Sequence, residues 1–142
     1  MPLVRIDLNK SYSSDISKKI GDIVYSAMEQ EINVPKDDKF QIITRHDSSE
    51  INIPDSYLGI KYTPEIIIIQ ITLNGGRSVE LKKKLYKKIA EELHTKLHIR
   101  KEDVFIGLVE VDKENWSFGN GEAQYAPKYI DYYRIRFSLF GR

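Results

Sequence analysis

Apolar residues fall along this chain in two periods, and the periods alternate in a fixed order. Leu3 to Leu8 reads L-V-R-I-D-L, with Val4, Ile6 and Leu8 on one face, which predicts a strand. Beyond a polar turn, Ile16, Ile20, Ile23, Val24, Ala27, Met28 and Ile32 recur at spacings of three and four. That stripe predicts a helix wide enough to face a sheet, capped by Ser13 or Ser14 and stopped by Pro35. Phe40 to Thr44 reads as a second strand. Ile66 to Leu73 is apolar on both faces, as expected of a central strand covered on both sides. A turn at Asn74-Gly75-Gly76 follows. Val79, Leu81, Leu85, Ile89, Leu93 and Leu97 then predict a second amphipathic helix, and Val104 to Val111 a matching strand.

The second half repeats the first. An ungapped offset of 65 residues aligns Ile6 with Ile71, Leu8 with Leu73, Asn9 with Asn74, Ser13 with Ser78, Asp38 with Asp103 and Phe40 with Phe105, among nine identities. The chain is therefore read as a duplicated β-α-β unit, about residues 2–46 and 66–111. One such unit cannot bury its own sheet face, whereas two side by side can. The expected architecture is α+β, a four-stranded sheet with two helices on one face, in a single domain over 1–142. Arg45 to Pro64, with Pro54 and Gly59, reads as a connecting loop with short strand pieces. In the tail from about residue 127, Tyr133, Ile135, Phe137 and Leu139 alternate with Tyr132, Arg134, Arg136, Ser138 and Phe140 and predict a strand over Tyr132–Phe140 that a neighbouring subunit could cover.

Composition narrows the classes of function. The chain has 142 residues, 41% hydrophobic and 30% charged, with 22 basic and 21 acidic side chains. A net charge of +1 gives no global attraction to nucleic acid or anionic membranes. With no cysteine, thiolate metal sites and cysteine nucleophiles are excluded. No leader or membrane-spanning run is recognised, so the expected setting is cytoplasmic.

Several residues could carry chemistry. Pro2, once Met1 is removed, presents a secondary amine directly before a core strand, where it can act as base or acid. Asp38, in the Pro35–Phe40 turn, can activate water or tune that amine, or can serve the turn alone as Asp103 does at the equivalent place. Arg77, in N-G-G-R-S before a helix, can form a carboxylate site or remain solvated. His94 and His98 have the i,i+4 spacing of metal ligands but no third ligand, so no metal is expected. His46 reads as a loop histidine without an evident partner. Lys82 to Lys84, Lys87 and Lys88 read as a solvated helix face.

These residues together resemble the tautomerase superfamily. The P-L-V start, the tandem repeat, V-P-K-D-D-K-F-Q over 34–41, Arg77-Ser78, and W-S-F-G-N-G over 116–121 resemble its malonate semialdehyde decarboxylase-like branch. The resemblance implies a trimer of duplicated β-α-β chains, needing neither cofactor nor metal and acting on a small oxo-carboxylate. It implies that the proline amine of Pro2 is catalytic, assisted by Asp38 and Arg77, with Trp116 and Phe118 on the pocket wall. The branch carries two arginines two residues apart; here Gly75 stands at the first and Arg77 at the second. The implied reaction is keto–enol tautomerisation or, alternatively, decarboxylation or hydration of a 3-oxo acid. A catalytically idle trimeric interaction protein is the alternative from another class.

Overall fold

The computed structural model describes residues 2–126; the strand expected over 132–140 and the extension containing it lie outside them. Two compact units are distinguished, residues 1–110 and 111–142.

The first unit is built on strand β1 (Leu3–Asn9), helix α1 (Ser14–Ile32), strand β2 (Phe40–His46), a short hairpin β3 (Ser56–Tyr57) and β4 (Ile60–Lys61), strand β5 (Ile67–Asn74), helix α2 (Val79–Leu97) and strand β6 (Val104–Val111). The main sheet has the order β2-β1-β5-β6. β1 runs parallel to β2 with Leu3 opposite Phe40, and antiparallel to β5 with Leu3 opposite Thr72. The two helices coincide at the 65-residue offset from first residue to last. So do their ends. Ser13 and Ser78 cap the N-termini through their hydroxyls, and Asn33 and His98 close the C-termini in the left-handed conformation. His98 thus has a backbone role, and His94 Nδ1 lies 3.0 Å from the Ile99 carbonyl. Among the described residues no group of side chains could hold a metal ion.

Alternation places Val4, Ile6, Leu8, Ile67, Ile69, Ile71 and Leu73 on one face of the sheet, none more than 2% exposed. Ile20, Val24 and Met28 of α1 and Leu85, Ile89 and Leu93 of α2 close over them. Each such side chain contributes about 1.5–3 kcal/mol by burial. Gly21 permits the closest approach: a Cβ there would stand 2.6 Å from Gln41 Oε1 and 2.9 Å from Ile43 Cδ1.

β5 is central, as expected, but within this unit it is covered on one side only. Its alternate residues Ile68 and Thr72 are half-buried and Gln70 is exposed. On the same open face Phe40, Ile42, Phe105 and Val109 are 40–48% exposed. The bare face also holds a cavity of about 410 Å³ lined by Tyr57, Tyr62, Ile68 and Phe105 among others. His46 is not an unpartnered loop residue. It ends β2, and its Nε2 lies 2.6 Å from Asp7 Oδ1 across the β1–β2 pair. No helix of the described residues is long and apolar enough to cross a membrane.

The loop joining the repeats is tied down by Asp103, which is 1% exposed. Its carboxylate accepts the Thr63 N–H at 2.8 Å, the Thr63 hydroxyl, and Arg100 Nη1 at 3.2 Å. Asp103→Ala strands those donors and is expected to lower unfolding free energy by about 1–3 kcal/mol in denaturant titration. A loss below about 0.5 kcal/mol, the range of ordinary surface substitutions, would contradict this role.

Candidate active site

The two registers bring three chain segments to one end of the sheet. Continuing β1 back by one residue sets Pro2 beside Lys39 on one side and Leu73 on the other. Asp38 therefore enters β2, and the Asn74–Ser78 turn leaves β5, at the end where β1 begins. Pro2, Asp38 and Arg77 all belong to that end, with Pro2 buried and the other two half-buried.

Each segment is held by a specific polar contact. Tyr25, 6% exposed, donates its hydroxyl proton to the Pro35 carbonyl. The Asp38 N–H bonds the same carbonyl at 3.1 Å. Burial pushes the Tyr25 phenol above its ordinary pKa; the Asp38 amide opposes this, and the carboxylates of Glu29, Asp38 and Asp37 add to it. The turn carrying Asp38 is thus fixed from below by a buried phenol. Arg77 is fixed as well. Its Nη1 donates to the Asn74 carbonyl and its Nη2 to the Ile32 carbonyl, both at 3.2 Å, so one guanidinium ties the end of β5 to the last residue of α1. These bonds use two of the five N–H donors of arginine. Glu110, on β6, meets the same turn. Its carboxylate pairs with Lys82 and accepts the Gly76 N–H. The lysine bond, the Gly76 amide and the field of Arg77 hold it below the usual carboxylate range against the opposing cost of burial. Lys82 is therefore drawn out of the solvated lysine face, whereas Lys83, Lys87 and Lys88 stay on it in ion pairs with Glu80, Glu91 and Glu92.

The repeat supplies a second, altered copy of this constellation at the opposite end. At the 65-residue offset Ile67 stands for Pro2, Asp103 for Asp38 and Tyr12 for Arg77. Ile67 is fully buried as the first residue of β5, Asp103 is consumed by Thr63 and Arg100, and the Tyr12 hydroxyl donates to the Glu65 carbonyl at 2.6 Å. Only the end with Pro2 thus carries the set of proline, aspartate and arginine.

Trp116 and Phe118 belong to the second unit and are described within it. Their rings stack at 5.5 Å and 19°, and Phe118 meets Tyr125 edge-on at 4.9 Å. Gln124 closes this aromatic turn, accepting the Phe118 N–H and donating to the Gly119 carbonyl, both at 2.9 Å.

Comparison with known proteins matches this arrangement to one family. The family model described as "Tautomerase enzyme" matches residues 38–119. The probable tautomerase YusQ of Bacillus subtilis (strain 168) is 44% identical over 124 residues, 87% of this chain and 98% of the relative. The chain belongs to the tautomerase family. A second relative from the same organism, the probable tautomerase YrdN, is 34% identical over 88% of this chain and 96% of its own length. Among tautomerase folds, FG41 malonate semialdehyde decarboxylase, in a structure inhibited by 3-bromopropiolate, superposes with a TM-score of 0.80 at 37% identity, covering 87% of this chain and 93% of that one. The chain falls in the branch that contains it and is an enzyme of tautomerase or malonate semialdehyde decarboxylase-like type. A fused 4-OT described as a symmetric trimer shares the fold at a TM-score of 0.71 and 19% identity over 89% of this chain and 99% of that one.

Three residues at this end escaped the sequence reading. Tyr25 sits in the apolar stripe of α1, where its hydroxyl was the only sign of a second task. Glu110 is the one acid inside the apolar run V-F-I-G-L-V-E-V, a signal that was readable. Lys82 was hidden among like charges. Tyr25→Phe leaves the Pro35 carbonyl with the Asp38 N–H as its remaining donor and is expected to cost about 0.5–1.5 kcal/mol of stability, read from the denaturation midpoint. An unchanged midpoint would show that the turn holds without the phenol.

Proposed function

We propose that the protein is a tautomerase of small oxo-carboxylates that uses the Pro2 amine freed by removal of Met1. The observation that carries this reading is the common sheet end of Pro2, Asp38 and Arg77, together with family membership. Neutral Pro2 takes a proton from the carbon α to the substrate carbonyl and returns it elsewhere. Arg77, pre-set by two backbone carbonyls, offers its remaining N–H donors to the substrate carboxylate and steadies the enolate charge. Asp38 orients water or stabilises the cation that Pro2 becomes on taking the proton. No cofactor or metal takes part, and the cysteine-free chain suits a reducing cytoplasm.

A second reading is decarboxylation of a 3-oxo acid, favoured by the likeness to malonate semialdehyde decarboxylase. There Pro2 stays cationic and polarises the 3-carbonyl while carbon dioxide leaves. The two readings differ in the protonation state of one nitrogen. The active assembly is proposed as a homotrimer. The bare sheet face with Phe40, Ile42, Phe105 and Val109 supports it, because an apolar surface of that kind calls for a covering partner.

Pro2→Ala, with Met1 removed, is expected to reduce turnover of phenylenolpyruvate by orders of magnitude with the fold intact by circular dichroism. Equal turnover in variant and wild type would remove the proline from the mechanism. A charge-assisted bond to a carboxylate is worth about 1.5–3 kcal/mol, so Arg77→Ala is expected to lower kcat/KM for acids roughly 10- to 150-fold and for the corresponding esters far less. Equal losses for acid and ester would assign Arg77 to the turn alone.

A further inference from the structure

Gly75 occupies the position where the branch carries its first arginine, and the space beside it is not empty. A Cβ on Gly75 would stand 3.0 Å from Glu110 Oε2 and 4.0 Å from Glu110 Cβ. A glutamate from β6 therefore lies against the residue where a second cation would begin. The same carboxylate accepts the Gly76 N–H and pairs with Lys82 from the first turn of α2. Arg77, the next residue after Gly76, is close enough for its charge to act on Glu110. The anchoring turn is thus built from two cations and one anion, with Lys82 committed to the anion.

We infer that Glu110 is a specificity-determining residue of the Arg77 anchor: by filling the space over Gly75 with a negative charge, it restricts the anchor to one carboxylate and disfavours substrates bearing a second. This rests on Arg77 holding the substrate carboxylate. A monoanion meets Arg77 with no like charge of its own left over. A dianion brings a second carboxylate into a site where Lys82 is already occupied and Glu110 repels it. Glu110 touches no reacting atom in this account; it acts through the field and shape it gives the turn.

The test compares binding of 2-oxobutyrate, a monoanion, with 2-oxoglutarate, a dianion, by titration calorimetry on the full chain with Met1 removed. The wild type is expected to favour 2-oxobutyrate. Glu110→Gln keeps an oxygen to accept the Gly76 N–H and removes the charge. It is expected to shift the affinity ratio toward 2-oxoglutarate by about three- to fivefold, the upper end of the scale of partly exposed charge pairs. Lys82→Gln leaves Glu110 uncompensated and is expected to shift the ratio the other way. These opposite signs separate a field effect from simple loosening of the turn, which would weaken both ligands together and leave the ratio alone. Arg77→Ala distinguishes the two levels of failure. If it leaves both affinities unchanged, or if neither ligand binds the wild type, the anchor itself is misassigned and the inference falls with it. If Arg77→Ala weakens both ligands but Glu110→Gln and Lys82→Gln keep the ratio within twofold of wild type, the role of Glu110 alone is overturned.

Discussion

Antiparallel pairing of β1 with β5 is the constraint on which the rest of the molecule depends. Each β-α-β repeat has one apolar sheet face and one helix, too little to close a core alone. Setting Leu3 opposite Thr72 joins the two faces into one surface that both helices cover. The same register also gathers the candidate site residues. It brings the start of β1 and the end of β5 together, and parallel pairing adds the start of β2. A one-residue slip would turn Val4, Ile6 and Leu8 outward and expose the core, so the position of Pro2 is fixed by hydrophobic burial rather than by any local bond of its own.

Duplication then permits divergence. Asp38 and Asp103 occupy equivalent places before equivalent strands, yet they have different surroundings. Asp103 is buried, and three donors consume its carboxylate. Asp38 is half-buried beside a turn that Tyr25 already secures from below. Arg77 and Tyr12 diverge in the same manner, one offering spare donors at the sheet end of Pro2, the other closing the linker. One repeat end is consolidated for stability while the other keeps titratable groups half-exposed. Functional groups held at some cost to local stability commonly sit where the fold elsewhere is firm.

The fold was legible because its signals are long-range and redundant. Helix boundaries follow from serine caps and a three-four stripe present twice, and the repeat fixes the four main strands. What the periodicity could not reveal was which sheet face the two helices leave open. Ile66 to Leu73 reads as apolar on both sides, but the helices cover only one. The site was legible in part. Pro2, Asp38 and Arg77 were named from the motifs that carry the family resemblance, and spacing alone left each with a structural alternative. Tyr25, Lys82 and Glu110 stayed hidden because their roles depend on contacts between residues far apart in sequence, as between Tyr25 and the Pro35 turn or Lys82 and Glu110. His46 reads as an unpartnered loop residue for the same reason, since its partner Asp7 lies 39 residues away.

The account turns on the nitrogen of Pro2. While Met1 is attached that nitrogen is a tertiary amide with no proton to exchange and no basic lone pair; once Met1 is removed it is a secondary amine. The most direct measurement compares turnover of phenylenolpyruvate by two samples of the same chain, one with Met1 retained and one with it removed, each verified by intact mass. Activity is expected in the processed sample alone, with a pH profile governed by titration of the new amine. Equal activity in both samples, or none in either, would contradict it.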